Sequence, residues 1–375
     1  MHLFCYKYSN TFEVMKRIIG IIFTVVLASC GRADNLNLLI GTFTNADSEG
    51  IYSYTLDQNS GSWEQRSVAP SSNPAFLAQS EDGKTVFAVN ENGTAEDGVE
   101  MFSFNAEDGT LESLQQRKTA TTGPCYVSTN GELVLTANYS GGSMDVFRLE
   151  DGELQPCAGS VPGSTGGPHP NQSSSHVHCA TFTPDGCYVL ATDFSADRIL
   201  HFSVSGEELR QLGTVTPVSA GTGPRHITFS PDGTHAYVIG ELSGEVTAFD
   251  YADGALTQIQ VAAADSLGAQ GSADIHLSPD GKFLYASNRL KGDGIAIFSV
   301  DPDSGRLFRA GYQPTAAHPR NFCITPNGKF LLCASRDEDR VQIYERDPQT
   351  GLLSDIHNDI PVSRPVCVMF VSQTR

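Results

Sequence analysis

Residues 223–251 read GPRHITFSPDGTHAYVIGELSGEVTAFDY, and this stretch is one complete structural unit of which the rest of the chain contains variants. Three short apolar runs, ITF, AYVI and VTAFDY, are separated by a Pro-Asp-Gly turn and a Leu-Ser-Gly turn. Such runs between turn residues predict antiparallel strands in a meander. A fourth run, LTQIQVAA from Leu256, completes a four-stranded unit.

The unit recurs along the chain at a regular spacing. The same order of strands and turns surrounds a turn glycine in five further segments, at Gly83, Gly131, Gly186, Gly281 and Gly328. With Gly233 counted in its place, successive turn glycines lie 48, 55, 47, 48 and 47 residues apart. A period of this size with four strands per repeat is typical of β-propeller blades. The sequence therefore predicts an all-β protein with six complete blades.

The two ends of the chain together supply a seventh blade. LNLLIGTFT, GIYSYTLD and SWEQRSVAP, which follow Asn35, match the second, third and fourth strands of the unit, but no first strand precedes them. RPVCVMFV, at residues 364–371, matches a first strand without a continuation. Joining the two ends closes the ring and leaves no sheet edge free. We therefore predict a single seven-bladed propeller domain over residues 35–375, with four antiparallel strands per blade and one blade closed by both termini.

The longest interval contains an insertion before the third complete blade. It reads CAGSVPGSTGGPHPNQSSSHVH, is rich in Gly, Ser, Pro and His, and has no apolar period. This composition predicts a loop, which we expect to fold over one face of the ring.

Residues 1–34 have the pattern of an export signal. Basic residues precede a short apolar run, Ile18–Ala28, and small residues follow it. The run is too short to span a bilayer, and Met15 is the predicted start. The LASC tetrapeptide resembles a bacterial lipobox, which would make Cys30 the lipidated first residue of the mature protein. The alternative is an ordinary signal peptide cut elsewhere. We expect an exported lipoprotein that faces the periplasm or the cell exterior and meets a membrane only through this anchor.

Charge and composition exclude several classes of function. The net charge of −19 argues against a nucleic-acid partner, which requires a basic surface. There is no GxSxG elbow, HExxH helix, phosphate-binding loop or dinucleotide fingerprint. The cysteines after Cys30 have neither CxxC nor Cys/His spacing, so the sequence predicts small apolar residues rather than a disulfide framework or a metal site.

Aligning the blades on their turn glycines reveals two ring positions. The first, where the inner strand begins, is occupied by Ala75, Cys125, His178, Arg225, Ala273, Arg320 and Val366. The second, where the next strand ends, is occupied by Glu91, Tyr139, Phe194, Glu241, Arg289 and Arg336. Since antiparallel strands joined by a turn begin and end at the same edge, these side chains should rim one mouth of the central channel. One residue before the second position, a polar ring is formed by Asn90, Asn138, Asp193, Asn288 and Ser335.

The arginines on these rings predict an anion site inside an acidic protein. Guanidinium groups suit carboxylate or phosphate, and His178 and Glu241 could supply a general acid and base. The alternative is that Arg225 and Glu241 form an ion pair that only holds two strands together, although buried ion pairs are weak stabilisers. We expect His169 and His176, in the insertion, to be solvated.

Several segments together resemble the lactonase family of seven-bladed propellers. They are SHVHCATFTPDG, GTGPRHITFSPDG, ELSGEV, ADIHLSPDGKFLYASNR and HPRNF. The resemblance runs from about Leu38 to the C-terminus, and the family includes bacterial propeller-type 6-phosphogluconolactonase and fungal carboxymuconate lactonizing enzyme. It implies a catalytic set of one His, two Arg and one Glu, which by motif falls on His178, Arg225, Arg289 and Glu241.

The resemblance also implies a reaction class. Members of the family open or close a lactone ring without a metal or organic cofactor, so the expected partner is a small sugar lactone. We expect four further residues to bind the substrate around the catalytic set: Arg320, His226, Asn288 and Asp193. 6-Phosphogluconolactone is a cytosolic intermediate, whereas this chain has an export signal, so another sugar lactone is an alternative substrate.

Three functions remain open from the sequence. The first is a lactone hydrolase of carbohydrate metabolism, a carboxylic ester hydrolase that converts 6-phosphogluconolactone or a related lactone to the acid. The second is a lactone-forming cycloisomerase of the muconate type with the same residues. The third is a non-catalytic, surface-anchored binding propeller, because fold alone does not fix function. In each case we expect a monomer.

Overall fold

The computed structural model describes residues 34–371 and contains seven antiparallel sheets arranged as blades. The all-β, seven-bladed prediction is confirmed. Within the described range there is no α-helix, and the short 3-10 helices are Pro170–Gln172, Phe194–Ala196 and Arg336–Glu338. No helix among these residues is long and apolar enough to cross a membrane. The predicted export signal, the start at Met15 and the lipidation site at Cys30 lie outside the described residues.

The split blade has strands from both ends of the chain, as predicted. From the outer edge inward its strands are β3 (Trp63–Pro70), β2 (Gly50–Asp57), β1 (Asn35–Thr42) and β30 (Pro365–Val371). β1 pairs with β30 in antiparallel register from Asn37↔Val371 to Thr42↔Pro365. The last strand of the chain is therefore the innermost strand of the blade that contains the first.

The six complete blades follow in chain order. The first blade consists of β4 (Pro74–Gln79), β5 (Thr85–Asn90), β6 (Gly98–Asn105) and β7 (Thr110–Lys118). The second consists of β8 (Pro124–Thr129), β9 (Leu133–Asn138), β10 (Ser143–Glu150), β11 (Glu153–Leu154) and β12 (Gly159–Pro162). The third consists of β13 (Val177–Phe182), β14 (Tyr188–Asp193), β15 (Arg198–Ser205) and β16 (Glu208–Pro217). The fourth blade consists of β17 (Pro224–Phe229), β18 (His235–Gly240), β19 (Glu245–Ala252) and β20 (Ala255–Ala263). The fifth consists of β21 (Ser272–Leu277), β22 (Phe283–Asn288), β23 (Gly294–Val300) and β24 (Leu307–Pro314). The sixth consists of β25 (Pro319–Ile324), β26 (Phe330–Ser335), β27 (Arg340–Arg346), β28 (Leu353–Asp355) and β29 (Ile360–Pro361).

The hydrophobic core lies between neighbouring blades. Each cluster of buried apolar side chains combines residues from two adjacent sheets, as where Ile239 and Ala248 of one blade meet Leu284 and Phe298 of the next. The second strands are buried on both faces and read as continuous apolar runs, whereas the outer strands are largely exposed. This pattern packs the blades against one another and leaves the beginnings of the inner strands facing the channel.

The insertion is only partly a loop, which corrects the prediction. Gly159–Pro162 forms β12, which pairs with β10 as part of a divided outer strand. Three of its four residues are exposed, so it has no apolar side to produce a period in the sequence. The rest of the insertion is tied to the third blade, where Gln172 donates to Phe194 O and to Asp197.

A bulge at the start of the inner strand recurs from blade to blade and positions the ring residues. In β17 the ladder pairs Pro224 with Gly240 and then His226 with Ile239, so Arg225 has no partner of its own. Equivalent shifts occur at the starts of β4, β8, β13 and β25. An extra residue in one strand re-aims its side chain, and here it releases the first ring position from the ladder.

Candidate active site

Three of the four residues predicted to be catalytic meet at a single carboxylate. Glu241 Oε2 lies 3.0 Å from Arg225 Nε and 3.2 Å from Arg289 Nη2. The two arginine side chains are only 3% and 7% exposed, whereas Glu241 is 18% exposed. The carboxylate therefore bridges two buried cations from neighbouring blades and is the most accessible member of the group.

Backbone carbonyls fix both guanidinium groups. Arg225 Nη1 donates to Ala273 O over 2.6 Å, and Arg289 Nε donates to Gly271 O over 2.7 Å. Glu241 follows directly after β18, and its backbone N–H donates to Gly223 O. The arrangement is thus anchored on two blades at once, and this argues against a clamp that merely joins two strands of one sheet.

His178 lies beside this group at the start of β13. Its ring is 5.4 Å from that of Tyr139 and 5.3 Å from that of His226, both in edge-on geometry. Cys125 Sγ lies 3.6 Å from His178 Nδ1. Burial, followed by the charge of Arg225, lowers the pKa of His178 well below its ordinary value. His178 is therefore neutral at physiological pH and able to accept a proton.

Burial also lowers the pKa of both arginines. Burial lowers the pKa of Arg289 to about 9, although Glu241 opposes the shift. Burial lowers the pKa of Arg225 as well, again against the effect of Glu241. Since a buried cation is costly, Glu241 is the main compensating charge for both arginines, and Asp274 adds to it for Arg225.

A second layer of charge surrounds the cluster. Arg320 Nη2 lies 3.4 Å from Glu91 Oε2, and its guanidinium carbon lies 5.3 Å from the centre of the Phe43 ring. Burial raises the pKa of Glu91, while Arg320 opposes this shift. Arg320 is 15% exposed, so it is more accessible than either guanidinium bound to Glu241.

His226, predicted to bind substrate, lies against the cluster rather than apart from it. Arg225 Nη1 is 3.2 Å from His226 Nε2. Burial, followed by the charge of Arg225, lowers the pKa of His226 to about 4. Phe76 and Tyr126 pack edge-on against its ring and keep it inside the channel.

The side chains of Asn288 and Asp193 have polar partners outside the cluster, and their contact with substrate stays a prediction. Asn288 accepts from Ser272 Oγ and donates to Ala264 O, and Asp193 is paired with Arg198 at 2.9 Å. Both side chains are almost fully buried. They stand in the regular ladder, one residue before the ring position, and alternation along a strand turns them away from the ring residues.

Two further histidines lie at the site: His318, which the sequence reasoning did not single out, and His176, which it expected to be solvated. His318 Nε2 lies 3.4 Å from Arg289 Nη1, and burial, followed by Arg289, lowers its pKa to about 3. His176, expected to be solvated, stacks on Tyr139 with ring centres 4.0 Å apart and binds Tyr139 O through Nδ1. The HPRNF segment contained the signal for His318, whereas nothing in the insertion distinguished His176 from His169.

Within residues 34–371, no group of three or more His, Cys, Asp and Glu side chains is placed to hold a metal ion. What the cluster offers instead is a set of guanidinium donors, a carboxylate and a neutral imidazole. Donors of this kind can stabilise an oxyanion, and the imidazole can take a proton from water.

Comparisons with known proteins agree on one family. Residues 37–370 match the family model described as a lactonase, 7-bladed beta-propeller. A 6-phosphogluconolactonase of Bacillus subtilis is 35% identical over 345 residues, covering 89% of this chain and 98% of the relative. A 6-phosphogluconolactonase of Formosa agariphila is 31% identical over 348 residues, with 87% and 97% covered.

Solved structures extend the agreement to three dimensions. A crystal structure from Bacteroides uniformis superposes with a TM-score of 0.89 at 53% identity and covers 90% of this chain and 100% of the other. The periplasmic gluconolactonase of Pseudomonas aeruginosa superposes with a TM-score of 0.85 at 33% identity, with 91% and 100% covered. The similarity thus spans the whole ring of blades.

Proposed function

Because this chain belongs to the lactonase family of seven-bladed β-propellers, we propose that it hydrolyses a sugar lactone at the channel mouth around Glu241. One observation carries the proposal: two buried guanidinium groups share the Glu241 carboxylate beside the neutral imidazole of His178. Burying two cations around a single accessible carboxylate lowers the stability of the fold. A binding or catalytic role accounts for their presence.

In this proposal the arginines bind the lactone carbonyl. Attack of water on the carbonyl carbon moves negative charge onto the carbonyl oxygen, and N–H groups of Arg225 and Arg289 stabilise it. Both guanidinium groups are held by backbone carbonyls, so they need little reorganisation as the charge develops. Loss of a comparable oxyanion donor typically costs about 10²–10³-fold in kcat.

His178 and Glu241 share the proton transfers. Because its pKa is lowered, His178 is unprotonated at neutral pH and has a free ring nitrogen that can accept the proton that water loses on attack. The tetrahedral adduct then breaks its bond to the ring oxygen, and that oxygen takes up a proton to become a hydroxyl group. One water is consumed, and one hydroxy acid is formed. Glu241 either delivers that proton or holds the two arginines in place.

The substrate we propose is an aldonolactone, with 6-phosphogluconolactone as one candidate. Two relatives are named for that substrate, and the P. aeruginosa relative is a periplasmic gluconolactonase. Arg320 is the most exposed of the three arginines discussed here and is suited to a carboxylate or a phosphate. We propose further that the protein is exported, anchored through Cys30, and monomeric, with the periplasmic relative as support for export.

The deciding experiment compares lactone opening by the full chain and by two matched variants. Purified protein is mixed with glucono-δ-lactone and with 6-phosphoglucono-δ-lactone, and acid release is followed in a pH-stat. Arg225→Gln should lower kcat/KM by at least about 100-fold, as for an oxyanion donor. Arg346→Gln is the control, because Arg346 is equally buried but pairs with Asp280 away from the cluster.

The possible results separate the candidate functions. Opening of neither lactone by the wild type, with formation of a lactone from a muconate, would favour the cycloisomerase. Equal losses in the two variants would mean that Arg225 acts through stability alone. A chain without activity in either direction would be a binding propeller.

A further inference from the structure

A chain of three side chains crosses the interior of the ring behind the candidate active site. His226 Nδ1 lies 2.7 Å from Asp274 Oδ1, and His276 Nε2 lies 2.9 Å from Asp274 Oδ2. Asp274 is 2% exposed, whereas His276 is 42% exposed. His276 lines a cavity of about 360 Å³ at the turn ends of the inner strands, opposite the mouth that holds Glu241. The chain therefore connects the two ends of the channel.

Irregular strand starts bring these residues together. His226 directly follows the bulged Arg225 in β17. The ladder of β21 shifts between Ser272 and Ile275, so Asp274 is free to turn inward while its backbone N–H donates to Ser287 Oγ. Two consecutive residues of one inner strand can thus both face the channel, one in the cluster and one behind it.

The hydrogen bonds of Asp274 leave its two oxygens with different partners. Oδ2 accepts from Asn321 Nδ2 at 2.5 Å, from the Phe322 backbone N–H at 3.1 Å and from His276. Oδ1 has His226 Nδ1 as its partner. An ionised carboxylate can only accept, so His226 must carry its proton on Nδ1 and leave Nε2 as an acceptor. Arg225 Nη1 lies 3.2 Å from Nε2 and 3.4 Å from Nδ1, so the guanidinium packs over the face of the His226 ring.

Charges around Asp274 support this protonation state. Burial alone would raise the pKa of Asp274, but His276 and the bonds from both histidines outweigh it and hold the pKa well below its ordinary value. Burial alone would lower the pKa of His276, but Asp274 outweighs this effect and raises the pKa above its ordinary value. The other titratable groups that interact electrostatically with this carboxylate from the surrounding strands are Tyr126, Cys179, Arg225, Cys323, Cys333 and Cys367.

We propose that Asp274 is a positioning residue of the active site: it fixes His226 as the Nδ1–H tautomer and holds the ring on which the Arg225 guanidinium packs beside Glu241. His276 holds the Asp274 carboxylate ionised from the opposite mouth of the channel. The link to turnover rests on the proposed lactone hydrolysis, whereas the tautomer of His226 does not. Because His276 is partly exposed, its protonation at one mouth of the channel influences the geometry of the candidate active site at the other mouth.

Asp274→Asn gives a sharp test, because the surroundings dictate how an amide must sit. Three donors converge on the Oδ2 position, so the Asn oxygen must occupy it and the amide nitrogen must face His226. The amide then donates to His226 Nδ1 and forces the proton to Nε2, and the change also removes a negative charge that stabilises the Arg225 cation. We expect the variant to switch the His226 tautomer and to lower kcat at least tenfold, with a smaller change in KM.

The measurements are ¹⁵N NMR of histidine-labelled full-length protein and lactone opening over a range of pH. Asp145→Asn is the control, because Asp145 is equally buried and accepts three hydrogen bonds outside the site. It should leave both the tautomer and kcat unchanged. His276→Gln retains a donor to Asp274 but cannot titrate, so the response of the His226 signal to the titration of His276 should disappear.

Each result bears on the inference separately from the activity. A wild-type His226 with its proton on Nε2 overturns the assignment even if Asp274→Asn fails to fold. A switched tautomer with unchanged kcat shows that Asp274 does not position the site. If the wild type opens no lactone, the proposed function fails, and the tautomer switch alone then confirms or refutes the role of Asp274 toward His226.

Discussion

Replacing Glu241 with Gln removes the only charge that two buried arginines share. Its Oε2 lies 3.0 Å from Arg225 Nε and 3.2 Å from Arg289 Nη2, so the change leaves two adjacent cations without their shared counter-charge. Breaking a buried pair typically costs about 3–5 kcal/mol, and the amide oxygen that remains favours the lower end, about 3 kcal/mol. For a ring of roughly 340 residues the unfolding entropy is about 0.7 kcal/mol/K, so Tm should fall by about 4 °C.

The effect on turnover can be measured separately from the effect on folding. With the guanidinium groups released from Glu241, we expect kcat for lactone opening to fall at least tenfold, or about 1.4 kcal/mol of transition-state stabilisation. KM for an anionic lactone should not rise, because the cluster gains one net positive charge. This combination of a lower kcat with an unchanged or lower KM separates a role in the reaction from a role in binding.

Asp280→Asn is the matched control for this variant. Asp280 Oδ2 lies 3.1 Å from Nη2 of Arg346, whose side chain is 3% exposed, and the pair lies at the turn end of the blades. Melting followed by circular dichroism should show a comparable loss of stability in both variants, with normal kcat in Asp280→Asn. A folded Glu241→Gln protein that opens lactones at the wild-type rate from about pH 5 to 9 would refute the reasoning, and the carboxylate would be a strand clamp.

Three further predictions follow from other parts of the molecule. Deleting residues from Arg364 onward removes β30 and exposes the edge of β1, so soluble yield should collapse; an unchanged Tm would contradict the closure. The pKa of His226 is lowered from 6.5 to about 4 and that of His318 to about 3, so the unfolded chain binds more protons in this window. Stability should therefore be complete above about pH 6.5 and decline as the pH falls, by up to about 3 kcal/mol from His226; equal urea midpoints at pH 7.5 and 4.5 would count against this. Labelled fatty acid should be incorporated into the wild-type chain and not into Cys30→Ser, and incorporation into both would exclude Cys30 as the attachment site.

The fold was predictable because its information is repeated. Six turn glycines at nearly constant spacing, with an unmatched strand at each end, leave little freedom except a ring. The ring positions could be aligned for the same reason, and this alignment brought Arg225, Glu241 and Arg289 together before any coordinates were considered.

The features that the sequence did not reveal are ones that a repeat does not encode. A bulge adds one residue to a strand without changing the apolar pattern, so the sequence did not show that Asp274 and His226 would face inward together. Asn288 and Asp193 precede the ring position by a single residue, and that one step turns a side chain to the other face of the sheet. β12 is exposed along most of its length, so its sequence has no apolar pattern that would predict a strand.

The pairing of β1 with β30 also determines when the ring can form. These strands are separated by roughly 320 residues, against about 8 for the turn between β1 and β2. Loop-closure entropy rises with the logarithm of length, so joining the two ends costs about 3 kcal/mol more than forming the neighbouring hairpin. The ring should therefore close late, after blades that rely on local contacts have formed. A chain still emerging from the ribosome lacks β30 and cannot complete its propeller, which keeps the ring open for as long as synthesis continues.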